Sequence, residues 1–134
     1  MVHLPDKPKP VSKKRLRHIA DGLWMQACRK KWGDKCILGL GEAGPSHHFF
    51  PKGQCAHLRY DLDNGINISE GGHFRLHSTS DPDIIEKIKE RREKIQPGWF
   101  KNLRKKAYER PNKSIQTVGW YRKNIEALKQ YLDS

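Results

Sequence analysis

The chain has 134 residues, enough for one domain with a modest core plus tails and too few for two independent domains. Its formal net charge of +12, from 27 Lys and Arg against 15 Asp and Glu, points to a polyanionic partner, because each phosphate neutralised by a cation releases a condensed counterion. Three cysteines, an odd number, make no disulfide framework, and no apolar run is long enough for a signal peptide or a membrane span, so a reducing cytoplasm is the expected compartment and a membrane partner is not expected.

Residues 1 to 20 carry three prolines and the cations Lys13, Lys14, Arg15 and Arg17, a composition that reads as a flexible basic arm. From about Asp21 the pattern changes. Leu23, Trp24, Ala27, Cys28 and Trp32 recur at three- and four-residue intervals and predict an amphipathic helix ending near Gly33, with Trp24, Cys28 and Trp32 inward. "GLGEAG" (Gly39 to Gly44) reads as a loop; it lacks the flanking elements and Lys-Ser/Thr of a phosphate-binding loop. "HHFF" and "GINIS" fit two short strands, and "GGHFRLHS" the start of a helix.

Ser80 or Asp81 before Pro82 marks another helix start, continued by Ile84, Ile85, Ile88 and Ile95 until Pro97 and Gly98 stop it. Trp99, Phe100, Leu103 and Ala107 predict a helix ending before Pro111, and Tyr121, Ile125, Leu128 and Leu132 a last one. The division expected is a basic arm over 1–20, a core over 21–80 and a basic helical extension over 81–134 packing on that core. Charge follows the same plan: residues 1–35 sum to +7, 36–80 to −1 and 81–134 to +6. A nearly neutral, histidine-rich centre between two basic flanks has the form of a reaction site with electrostatic handles.

That centre holds His47, His48, His73 and His77. Residues four apart on a helix share a face, so His73 and His77 can offer two imidazoles to one metal ion. Neighbours on a strand point to opposite faces, so His47 and His48 must have different tasks. One can complete a three-histidine metal site while the other stands beside it as a general base near its natural pKa.

The order His-His, Pro51, "LRYD", Asn64, a strand and "HFRLH" resembles the motif of the HNH endonucleases, the ββα-metal nucleases, over about Trp24 to His77. The resemblance implies a mainly helical α+β domain around a ββα-metal motif. It implies that His47, His73 and His77 hold a single divalent ion (Mg²⁺, Mn²⁺, Zn²⁺ or Ni²⁺), that His48 is the general base, and that Asn64 fixes the loop between the strands. It further implies hydrolysis of DNA, duplex or branched; Arg75, between the helix ligands, and Lys52 and Arg59, near the strands, are candidate phosphate contacts beside the arm cations Lys13, Lys14, Arg15 and Arg17. Size and basic flanks favour a small phage-type or homing-type member. The alternative is a non-cleaving nucleic-acid-binding or packaging/recombination module on the same fold.

Many relatives also carry two Cys-x-x-Cys pairs around a structural zinc. Here those places read Cys36 to Gly39 and Ser69 to Gly72, with only Cys36 kept, so no structural zinc is expected and apolar packing must substitute. Trp24, Trp32, Ile37, Leu38, Ile66, Ile68, Phe74 and Leu76 are the expected participants.

Overall fold

A computed structural model describes residues 10–78 and 81–134, with the side chains of His77 and Ser78 outside the described set. The first helix, α1 (Lys13–Trp32), begins earlier than the apolar pattern after Asp21 suggests. Ser12 caps it by accepting the Arg15 amide at 3.1 Å, and Leu16 and Ala20 are buried in line with Trp24, Ala27 and Cys28. Residues 13–20 are therefore helix and not flexible arm, because two apolar positions there extend the buried stripe. Positions 1–9 of that arm lie outside the described residues. Gly33, at φ 92°, ends the helix in a conformation that favours glycine.

Two chain segments frame the histidine-rich centre. The strands β1 (His47–His48) and β2 (Gly65–Ile66) pair antiparallel, His47 opposite Ile66 and His48 opposite Gly65. Between them the chain makes 3₁₀ turns at Ala56–Leu58 and Leu62–Asn64, the second returning the chain into β2. After β2 comes α2 (Glu70–Ser78), then α3 (Pro82–Ile95), whose cap Asp81 accepts the Asp83 amide at 3.0 Å, and α4 (Trp99–Tyr108). The last helix, α5 (Val118–Asp133), is capped by Thr117. Among the described residues the fold is thus five helices with one two-stranded sheet, a mainly helical α+β arrangement. No helix among them is long and apolar enough to cross a membrane.

The core divides in two. One cluster joins Ile66, Ile68 and Leu76 to Ile84 and Ile88 of α3 and Trp99 and Leu103 of α4. The other joins Leu16, Trp24 and Cys28 of α1 to Tyr121, Ile125 and Leu128 of α5, with Trp32 packed against both. The helices α1 and α5 run the same way: Arg17 Nε donates to the Tyr121 hydroxyl at 2.9 Å near their starts, and Lys30 Nζ donates to the Tyr131 carbonyl at 2.7 Å near their ends. One expected core residue, Phe74, faces water instead, as does Ile95 at the end of the apolar pattern of α3. Phe74 is 62% exposed and Ile95 66%, because the buried faces of their helices are defined by Gly72 and Leu76 and by Ile84, Ile88 and Arg92.

Arg92 is the unexpected member of the interior. Its guanidinium lies 3.5 Å from the Trp32 ring centroid and 5.3 Å from that of Trp99. From there Nη2 donates to the Gly65 carbonyl at 2.7 Å and to Asn67 Oδ1 at 2.9 Å, tying α3 to β2 and the turn after it. Burial pushes its pKa down to about 9, so it stays cationic at neutral pH, with the indole faces supplying the favourable field on the flanks.

Candidate active site

The site is built on β1, β2 and α2. Gly65 lets β2 lie directly on α1: a Cβ there would sit 2.4 Å from Cys28 Sγ and 3.2 Å from Trp24 Cζ2. This close approach brings His48 onto Trp24, the two rings parallel within 2° and 4.2 Å apart. His48 Nε2 is 2.9 Å from the Arg59 carbonyl. A carbonyl only accepts, so Nε2 carries the proton and Nδ1 keeps the lone pair of the neutral ring. Burial lowers the His48 pKa, and the nearby charges of Lys52 and Arg59 act the same way, against the carbonyl. The ring is therefore a neutral base at pH 7.

Asn64 is fully buried and organises the loop that carries those contacts. Its Oδ1 accepts the Phe50 amide at 2.8 Å, its Nδ2 donates to the carbonyls of Phe50 at 3.0 Å and Leu58 at 3.4 Å, and its own carbonyl accepts the Phe49 amide at 2.8 Å. One side chain thus fixes both the exit from β1 and the turn leading to Arg59.

On the other face of β1, His47 lies against His73 of α2, rings 3.4 Å apart and parallel within 7°. His77 follows one turn along α2; its side chain, the third expected ligand, lies outside the described residues. His47 and His73, from facing elements, are imidazole donors of the kind that suits a borderline divalent ion; among the described residues no group of three His, Cys, Asp or Glu side chains is placed to hold one.

The cations expected to touch phosphate divide. Lys52 is exposed and close enough to His48 to influence its charge. Arg75 is half exposed and pairs with Asp81 at 3.2 Å. Arg59 departs from expectation: its side chain makes two hydrogen bonds to Asp21, at 3.0 and 2.8 Å, and is nearly buried. Its contribution to the site is the backbone carbonyl that holds His48, with the Asp21 pair anchoring that backbone to α1. Lys13, Lys14 and Arg15 are exposed on the first turn of α1, which carries no acidic residue, so side-chain charge and helix dipole add there. Arg17 is half-buried against Tyr121.

Asp21, the Arg59 carbonyl and Trp24 are site residues that the histidine spacing did not reveal. Trp24 was legible as a core residue only, and Asp21 meets Arg59 across 38 positions of sequence.

The two places where relatives of the resembled family carry zinc-binding cysteine pairs do meet. Cys36 Sγ accepts the Ser69 amide at 3.2 Å, and Ser69 Oγ accepts the Gly72 amide at 3.1 Å. Apolar side chains occupy that corner: a Cβ on Gly72 would fall 2.8 Å from Ile68 and 3.0 Å from Leu38. No family model matches the chain, and comparison with curated proteins and with solved structures finds no match.

Proposed function

We propose that the protein is a metal-dependent endonuclease of the HNH type that hydrolyses phosphodiester bonds in DNA. The observation that carries this reading is the division of the histidine pair across β1. His47 joins His73 on one face, while on the other His48 is held as an Nε2–H tautomer with its pKa lowered.

His48 Nδ1 accepts a proton from water as the water oxygen attacks phosphorus. The Arg59 carbonyl keeps the ring in the tautomer that leaves this nitrogen available, and stacking on Trp24 limits its rotation. Asn64 holds the intervening loop so that base and carbonyl stay in register. Lys52 screens the phosphate charge near the base. A divalent ion on His47, His73 and His77 would supply Lewis-acid stabilisation of the negative charge developing on the phosphate and leaving oxygen. Proton transfer, orientation and phosphate binding fall to the protein. By analogy with the resembled family the ends produced are 5′-phosphate and 3′-hydroxyl.

Incubation with supercoiled plasmid in Mg²⁺, Mn²⁺ or Ni²⁺ tests the reading. Nicked or linear product with one of these ions and none in chelator is expected. Intact plasmid with all three, under conditions where the protein binds it, would replace the reading with that of a non-cleaving module.

A further inference from the structure

Three cavities run end to end away from the histidines and share walls. The first, about 330 Å³, opens against Phe49 and Phe50, directly after the histidine strand, and against Leu76 of α2. Phe50 and Phe100 form the boundary with a second cavity of about 220 Å³, which continues past Arg104 and Tyr108. Gln54 and Arg110 lead from there into a third, about 300 Å³, closed by His57 and Lys113.

The chemistry of this groove is consistent along its length. Lys89 of the first cavity, Arg104 of the second, Arg110 between the second and third and Lys113 of the third line it, and no Asp or Glu does. Aromatic rings alternate with these cations: Lys89 Nζ lies 4.0 Å from the Phe100 ring centroid and Arg104 lies 5.5 Å from that of Tyr108. Tyr108 is 74% exposed, an outlay of aromatic surface to water that the core does not require.

We infer that this groove binds a single-stranded segment of nucleic acid leading away from the phosphodiester at the histidines, an inference that rests on the nuclease reading for the position of that phosphodiester. Cations track a phosphate backbone, and aromatic rings offer stacking surface to bases that have lost their own neighbours. Bases in a duplex are already stacked and present only edges, so a duplex would use the cations and leave the rings idle. A substrate joining a duplex to an unpaired strand, a flap or a fork, uses both.

The test is fluorescence anisotropy with the full chain in chelator, using labelled oligo-dT and a duplex of the same length over a range of salt. Oligo-dT is expected to bind more tightly than the duplex. Tyr108→Ala should weaken oligo-dT binding about tenfold at unchanged salt slope, since stacking releases no counterions. Arg104→Ala combined with Arg110→Ala should lower the log–log salt slope for oligo-dT by about 1.4. All three positions are exposed, and unchanged circular dichroism would exclude misfolding.

Equal or tighter duplex binding, or an unaltered oligo-dT affinity in Tyr108→Ala, would overturn the inference. So would displacement of oligo-dT by poly-glutamate as readily as by unlabelled oligo-dT, which would mark a site for acidic peptide. Binding in chelator involves no hydrolysis, so the groove and the nuclease reading fail separately: intact plasmid removes the second, and loss of strand preference removes the first.

Discussion

The two halves of the interior are held together by different means. The α1–α5 half is a pair of helices meeting through apolar stripes, Leu16, Trp24 and Cys28 against Tyr121, Ile125 and Leu128. The histidine half sets two-residue strands and single 3₁₀ turns against α2, α3 and α4, and its loop is held by buried polar groups that hydrogen-bond to backbone atoms. Asn64 reaches three such atoms and Arg92 one, while the indoles of Trp24, Trp32 and Trp99 donate to the carbonyls of Asp61, Leu62 and Asp63. Apolar contact tolerates reshaping, whereas a hydrogen-bond hub does not. His48, whose tautomer the Arg59 carbonyl fixes, lies in the less tolerant half.

The largest expected effect on stability is at Asn64. Asn64→Ala leaves the buried amide of Phe50 and the carbonyls it served without partners, and we expect a loss of about 3–4 kcal/mol in urea unfolding. Asn64→Leu should cost no less although it restores volume, because shape is not what the position supplies. Recovery in the leucine variant would place this hub among ordinary packing sites.

The matching experiment in the other half has a different profile. Leu128→Ala should cost about 2–3 kcal/mol through the cavity it leaves, but Leu128→Met under about 1.5 kcal/mol, because that interface can repack. Equal losses for both would erase the contrast between the halves.

Acid should also separate the halves. Burial pushes the Asp21 carboxyl up, but hydrogen bonds from Arg59 and Tyr60 outweigh it and hold its pKa below the ordinary value; for Asp63 the bonds from Lys31 and Gln96 do the same. A carboxylate with a depressed folded pKa stabilises the fold fully above its unfolded value, about 3.9, and that stability is lost as pH falls through the folded value. Amide exchange followed from pH 6 down through 3 should show the 56–66 segment losing protection before the α1–α5 pair. A simultaneous loss would show that these carboxylates do not hold the loop.

How far the sequence could be read follows the same division. The helices from α3 onward were legible because their apolar positions recur at helical spacing between clear stop and start signals. The start of α1 was obscured by prolines and cations, although Ser12 is a cap and Leu16 and Ala20 extend the stripe of Trp24. Arg92 had a signal too, four residues beyond Ile88 on the buried face of α3, but a charge in an apolar register is legible only when its indole neighbours from α1 and α4 are known. Phe74 was misplaced because a single aromatic in a nine-residue helix does not say which face is buried. That His47 and His73 lie together and that Asn64 holds the loop between the strands follows from order and spacing. The Asp21–Arg59 pair and the Trp24–His48 stack do not, since contacts across tens of residues leave no periodic trace.

The central claim is that His48 acts as base while His47 and His73 serve on the opposite face of the same strand. The most direct test is the single-turnover cleavage rate of His48→Ala, with metal affinity measured by calorimetry on the same preparation. We expect the rate to fall by about 10²–10⁴, with metal affinity and the circular dichroism spectrum unchanged. Cleavage at close to the wild-type rate, or loss of metal binding along with activity, would contradict the assignment.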